Sequence, residues 1–170
     1  MPTLLLARHA KSSWDDPSLR DHDRPLNRRG ASDAPRIGAA LLERDLVPDL
    51  VLSSTSARTR ETLAGMEEGT GIPLTADYLP ELYLASPGTM LSAIQSAPRD
   101  AETLMVLSHN PGTHALAVGL TATGPQEARE AMRFKFPTGA VAILTFDLDD
   151  WRHVRNDGHL EEFIRPRLLG

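Results

Sequence analysis

The sequence contains no cysteine. Disulfides, thiolate nucleophiles and cysteine-bound metals are therefore excluded at the outset. Lysine is almost missing as well: Lys11 and Lys135 are the only two, so arginine carries nearly all the positive charge. A GC-rich coding sequence accounts for that bias without any functional cause. Positive charge is not in excess, because the net charge is -5, which argues against nonspecific binding to a nucleic acid. No apolar run is long enough to span a membrane. Charge arrives too early, at Arg8 and Lys11, for a signal peptide. The expected location is the cytoplasm. Repeats, low-complexity tracts and linkers are also missing, so the 170 residues are expected to form one domain over 1–170, long enough to bury one core.

What is present is organised around Thr3–Ala10, TLLLARHA. A short apolar run closed by polar residues reads as a buried strand that delivers its last side chains to a surface cleft. In open α/β sheets ligands bind outside the carboxyl ends of the strands. Arg8 offers a rigid fork of donors suited to phosphate, and a neutral His9 beside it is a potential nucleophile. Two further apolar stretches end in the same manner. Asp49–Ser53 runs into Ser54-Thr55-Ser56-Ala57-Arg58-Thr59-Arg60, and Thr103–Leu107 runs into Ser108-His109-Asn110-Pro111-Gly112.

Three strands finishing in Arg-His, Ser-x-x-Ala-Arg-Thr and His-Asn-Pro, in that order, resemble the histidine phosphatase superfamily, the phosphoglycerate-mutase-like proteins. The short chain and the RHAKSSW opening are most similar to the SixA-type phosphohistidine phosphatases. The resemblance extends over roughly Thr3 to Pro166. The chain departs from the common family pattern twice: RHA stands where RHG is usual, and SHNP where GHNP is usual. Both changes introduce small side chains and leave the charged residues in place.

Between the motifs the chain alternates strand and helix. Lys11–Asp23 is polar and contains Pro17, and it reads as a loop over the cleft. Trp14 within it is either a lid anchor or a residue packing the loop onto the domain, the latter being the simpler reading. Asn27 is a plausible N-cap, followed by an amphipathic face of Ala34, Ile37, Ala40 and Leu41. Pro35 allows two readings: a helix beginning near Ser32, or one that kinks at the proline. A helix from Ser56 to Gly69 or Gly71 places Arg58 in its first turn, where the helix N-terminus also favours an anion. Leu74–Tyr78 suggests a short strand, Pro80–Tyr83 a turn, and Pro87–Ala97, Thr113–Leu120 and Pro125–Met132 helices. Ala140–Phe146 has strand composition, and Thr138-Gly139 before it reads either as the lead-in to that strand, the simpler reading, or as an additional backbone donor to the cleft. Trp151–Val154 and Glu162–Arg165 are expected as final strands about an Asn156-Asp157-Gly158 hairpin turn. This order predicts a three-layer α/β/α sandwich with a mostly parallel sheet.

Phosphoryl transfer needs an in-line nucleophile and positive charge around the equatorial oxygens. The resemblance implies His9 as nucleophile, Arg8 and Arg58 as phosphate ligands, and His109 as a second imidazole donating to the phosphoryl group. His9 would then need its other ring nitrogen held by a carbonyl to set the tautomer. The resemblance also implies a glutamate general acid, for which Glu81 is the positional match; Glu81 as a solvated turn residue is an equal reading. His22, His114, His153 and His159 read as ordinary histidines. A zinc site of His9, His109 and His114 lacks a completing carboxylate and faces repulsion from the arginines, so no metal and no cofactor are expected. The implied function is a metal-independent phosphatase acting on phosphohistidine in a protein partner. A small-molecule phosphomonoesterase or mutase and a non-catalytic phospho-binding module are the alternatives.

Overall fold

The computed structural model describes all residues from Met1 to Gly170. Strand β1 (Thr3–Arg8) lies in the middle of a seven-stranded sheet with β2 (Leu50–Ser53), β3 (Ala76–Tyr78), β4 (Thr103–Ser108), β5 (Thr121–Thr123), β6 (Val141–Thr145) and β7 (Gly158–Ile164). The order across the sheet is β3-β2-β4-β1-β6-β7-β5. Only β6 runs against the rest: it pairs antiparallel with β1 and β7, and every other pairing is parallel. Leu4 to Ala7 are buried on both faces, which is why β1 is continuously apolar rather than alternating. Leu5 and Ala7 join a core with helices α1 (Arg28–Glu43) and α2 (Ala57–Thr70), through Ile37, Leu41, Leu63 and Met66. Leu4 and Leu6 join the opposite core, under α3 (Pro87–Gln95), α4 (Gly112–Leu120) and α5 (Gln126–Phe134). The result is the expected α/β/α sandwich. No helix is long and apolar enough to cross a membrane.

Local structure departs from the sequence expectations at four places. Helix α1 starts at Arg28, where the Asn27 side chain accepts from the Gly30 amide at 2.9 Å, so the reading with a start near Ser32 fails and Pro35 lies inside the helix. Trp151–His153 is a 3-10 turn rather than a strand, because the buried Trp151 donates from its indole to the Ala101 carbonyl and the Asp150 side chain caps the turn. The final strand starts at Gly158, not Glu162, and its antiparallel partner is β6, so no hairpin forms about Asn156-Asp157-Gly158. Strand β5, three residues without a buried side chain, exists only by its edge pairing with β7 and has no apolar pattern to announce it.

Helices α1 and α2 approach closely enough that glycine is required between them. A Cβ at Gly38 would stand 2.2 Å from the Met66 carbonyl oxygen, and one at Gly69 would stand 1.9 Å from the Pro35 carbonyl oxygen. Glycine to alanine inside a helix is ordinarily stabilising. Here the colliding atoms are backbone and cannot step aside, so Gly38→Ala is expected to destabilise the protein by about 2–3 kcal/mol, read as a lower denaturation midpoint with unchanged slope.

Candidate active site

The parallel pairing of β1, β2 and β4 brings the three motifs together. Arg8 lies opposite Ser108, and Ser53 opposite Leu107. The His9 amide then donates to the Ser108 carbonyl at 3.2 Å, and the Ser54 amide to the Leu107 carbonyl at 3.0 Å. The imidazoles of His9 and His109 face each other with ring centroids 5.2 Å apart. Arg8, His9, Arg58, His109, Asn110 and Thr138 line one cavity of about 200 Å³, open on one side. Thus Arg8, His9, Arg58 and His109 converge as the sequence motifs implied.

His9 is 5% exposed and its orientation is constrained at every side. Its carbonyl accepts from the Gly139 amide at 2.8 Å, and the Ala10 amide donates to Thr62 Oγ1 at 3.0 Å. Its Nδ1 lies 2.7 Å from the Ala10 carbonyl, an acceptor only, so Nδ1 carries the proton. The lone pair of a neutral His9 is therefore on Nε2. Burial, and then the charges of Arg58, Arg8 and Arg24, lower its pKa to about 4 despite the Ala10 hydrogen bond. His109 is lowered to about 3, again chiefly by burial, then by His9 and Arg58. His109 Nε2 is 2.8 Å from Ser54 Oγ, and that oxygen also accepts from the Ser56 amide at 3.4 Å. The Ser54 hydroxyl proton is thus free to go to His109 Nε2, leaving the His109 proton on Nδ1.

Arg58 stands in the first turn of α2, capped by Ser56, whose hydroxyl accepts from the Thr59 amide. Its Nη1 and Nη2 donate to the Asp21 carbonyl at 2.8 Å and the Asp21 carboxylate at 3.0 Å. Arg8 Nη1 donates to the Phe136 carbonyl at 3.1 Å, which also accepts from Asn110 Nδ2 at 3.0 Å. Each arginine is thereby held by its terminal nitrogens. Arg8 Nε, Arg58 Nε and His109 Nδ1 are buried and have no hydrogen-bond partner; the same holds for Arg129 Nε and Arg165 Nε, whose side chains do not line this cavity. Buried donors without partners are costly. Three of these five nitrogens belong to side chains that line one cavity, which leaves its wall with unspent donor capacity.

Several participants escaped the sequence reading. Asp21 sits on a 3-10 turn, Asp21–Asp23, within the Lys11–Asp23 stretch. Its carboxylate takes hydrogen bonds from Arg58, Arg24 and the Tyr83 hydroxyl. Burial pushes its pKa up, but the bonds from Tyr83 and Arg58 outweigh that and hold it at about 2. Tyr83 meets His109 edge-on at 5.4 Å and His22 at 4.8 Å. His22, read as an ordinary histidine, also touches Thr55 through Nε2 at 2.8 Å and so belongs to this network's outer edge. Arg24 is buried, donates to Ser12 Oγ and the Ser13 carbonyl, and lies 3.4 Å under the Trp14 ring. Trp14 does not pack the loop into the protein, as the simpler reading had it: it is 71% exposed and stands at the cavity rim. Gly139 spends its amide on His9 and is not a ligand donor, in keeping with Thr138-Gly139 as the lead-in to β6.

Glu81 is not brought to the site. It lies in the 3-10 turn Pro80–Leu82, exposed, in a groove against α3 with Leu79, Thr89 and Ser92. The same turn does serve the site through its neighbours: the Leu82 carbonyl accepts from Ser108 Oγ, and Tyr83 reaches Asp21. Position in sequence located the segment correctly, while the 3-10 turn sent the glutamate outward. His114 is structural, with Nε2 2.7 Å from the Met132 carbonyl.

The sheet is phosphoglycerate-mutase-like, and the chain belongs to the histidine phosphatase superfamily: residues 4–82 match branch 1 of that family, and relatives 31% identical match it over nearly its whole length. Within it the chain is of the SixA type. A provisionally assigned phosphohistidine phosphatase SixA from Nakamurella multipartitia superimposes with a TM-score of 0.84 and 31% identity, over 97% of this chain and 96% of the other. Another from Agrobacterium tumefaciens gives 0.80 and 31%, over 98% and 99%. The uncharacterized protein Rv1276c of Mycobacterium tuberculosis is 42% identical over 81% of this chain and 85% of its own length.

The lowered histidine pKa values have a signed consequence. In the folded state His9 resists protonation down to about pH 4, whereas unfolded histidine takes up its proton near 6.5. Between those values the unfolded state binds more protons, so stability is full above pH 6.5 and declines as pH falls toward 4. His9 itself stays neutral over the same range. We expect the acid limb of kcat/KM to lie near pH 4 rather than near 6.5. A limb at the ordinary histidine value would show that another group governs the rate.

Proposed function

We propose that this chain is a metal-independent phosphohistidine phosphatase acting on a protein, through a phosphohistidine formed on its own His9. Membership of the family together with the likeness to SixA-type proteins supports phosphatase activity; the substrate and the residue roles are our reading. The observation that carries it is the gathering of Arg8, Arg58 and His109, each with one nitrogen unpartnered, in one cavity with a histidine whose Nδ1 is tied and whose Nε2 is free. His9 Nε2 attacks phosphorus, the bond to the leaving atom breaks, and Arg8, Arg58 and His109 Nδ1 neutralise the equatorial oxygens. Water then attacks the phosphohistidine, releasing phosphate and regenerating His9.

The leaving group decides the substrate class. No Asp or Glu lines the cavity, and nearby Asp21 is held ionised. An alkoxide leaving group needs a proton from the enzyme. The imidazole of phosphohistidine is protonated by solvent near neutral pH and departs without one. A site lacking an acid therefore favours the phosphoramidate. Three cationic guanidiniums, Arg8, Arg24 and Arg58, line the cavity and repel a divalent ion.

The test compares kcat/KM for a phosphohistidine peptide with that for alkyl phosphates, before and after dialysis against EDTA. Preference for the phosphoramidate, unaffected by EDTA and inhibited by vanadate, is the expected result. Glu81→Ala is expected to change neither substrate's rate. A dominant preference for one sugar phosphate, lost with Glu81, would support the small-molecule alternative instead.

A further inference from the structure

The catalytic cavity does not end at its own walls. It shares Lys11, Ser12 and Trp14 with a larger, shallower depression of about 490 Å³. The far side of that depression is formed by Asn27, Arg28 and Arg29 at the start of α1, with Asp15 as its one carboxylate. Lys11 and Arg28 have no ion-pair partner, and Arg29 has only a loose one, 3.7 Å from Asp33. This face is thus locally cationic on a chain whose net charge is -5, and it holds one of the chain's two lysines.

Two exposed apolar side chains stand at the cavity mouth beside this charge. Trp14 is 71% exposed, its underside already covered by Arg24. Leu84 is 55% exposed and its backbone is in the left-handed region, with φ 50°. A branched apolar residue avoids that conformation, and strained positions gather at functional sites. Exposed apolar groups ringed by charge around a reactive cavity are the ordinary make-up of a recognition surface.

We propose that this face docks the protein that carries the phosphoryl group, and that the partner is acidic around its phosphohistidine. The inference rests on the phosphohistidine reading above and names the surface that selects the carrier. Lys11, Arg28 and Arg29 pair with partner carboxylates, while Trp14 and Leu84 cover its apolar surface. On a chain of net charge -5 this cationic face favours the approach that presents the phosphoryl group to His9.

The experiment uses two phosphohistidine peptides, identical except that the residues flanking the histidine are aspartate in one and lysine in the other. Kinetics are measured at low and physiological salt for the wild type and for Arg28→Glu/Arg29→Glu. Glutamate is favoured in the first turn of a helix, so the double variant should fold. Neither arginine lines the catalytic cavity, so nitrophenyl phosphate turnover should be unchanged. The wild type is expected to prefer the aspartate-flanked peptide by about tenfold or more in kcat/KM, with the preference shrinking as salt rises. The double variant should lose that preference. Trp14→Ala should raise KM for both peptides alike, and an unchanged KM would overturn the apolar contact. Equal handling of the two peptides by the wild type would overturn the docking surface. If neither peptide is turned over while nitrophenyl phosphate is, the phosphohistidine reading fails, and the peptides are then compared as inhibitors. A stronger inhibition by the aspartate-flanked peptide that vanishes in the double variant would still support the surface, and equal inhibition would overturn it.

Discussion

His9→Ala is expected to abolish turnover, by at least about 10⁴-fold, in a protein that remains folded. The loss follows from chemistry: no other neutral nitrogen base with a free lone pair lines the cavity, since His109 Nε2 is occupied by Ser54 and the other basic groups are cationic arginines and a lysine, while the hydroxyls of Ser12 and Thr138 are poor nucleophiles without a base. The tolerance follows from geometry. The imidazole hydrogen-bonds only to the neighbouring carbonyl of Ala10, so its removal strands one acceptor locally. The backbone ties of this position, to Ser108 and Gly139, do not involve the ring. Removing a neutral group from between Arg8 and Arg58 leaves no new unpaired charge. The check is a single-turnover assay with labelled phosphoramidate beside a denaturation curve. Undiminished activity in a folded His9→Ala protein would falsify the nucleophile role.

Arg58→Ala should cost about 10²–10³-fold in rate, and His109→Ala a similar amount, as expected for one preorganised donor each. The Arg58 lesion has a second part. Two of its nitrogens hold Asp21, so truncation leaves that carboxylate beside the cavity with Tyr83 and Arg24 as its remaining partners. A carboxylate there that has lost one of its two arginines repels the phosphoryl group more strongly. Asp21→Asn should therefore recover part of the loss when combined with Arg58→Ala, a non-additivity expected of residues in one network. Arg58→Lys should rescue poorly, because an ammonium cannot hold Asp21 and offer a further donor in a fixed plane. Kinetics close to wild type for Arg58→Ala would remove the residue from the site.

The two lesions differ in what the sequence could disclose about them. His9, Arg8, Arg58 and His109 were legible because each closes or follows an apolar strand, and parallel strands in such a sheet end on the same side. Their convergence then follows from topology. Asp21, Tyr83 and Arg24 were not legible. They come from an irregular loop and a 3-10 turn, where no periodicity says which way a side chain faces. Glu81 and Tyr83 show this directly: they are two residues apart in one turn, and the turn presents the tyrosine to Asp21 and the glutamate to solvent.

The same division runs through the fold. The apolar runs of β1, β2 and β4, the Asn27 and Ser56 caps and the turn residues determined an α/β/α sandwich, because burial on both faces and capping are local properties of the chain. Strand β5 and the true partner of β7 were decided only in three dimensions, since edge pairing satisfies backbone groups whatever the side chains are. The orientation of Trp14 was likewise a tertiary matter: only the placement of Arg24 beneath its ring leaves the other face to solvent at the cavity mouth. Residue types and their spacing determined which chemistry the chain carries, because strand ends are local. Packing decided how that chemistry is oriented and what it meets, because those contacts join segments far apart in the chain.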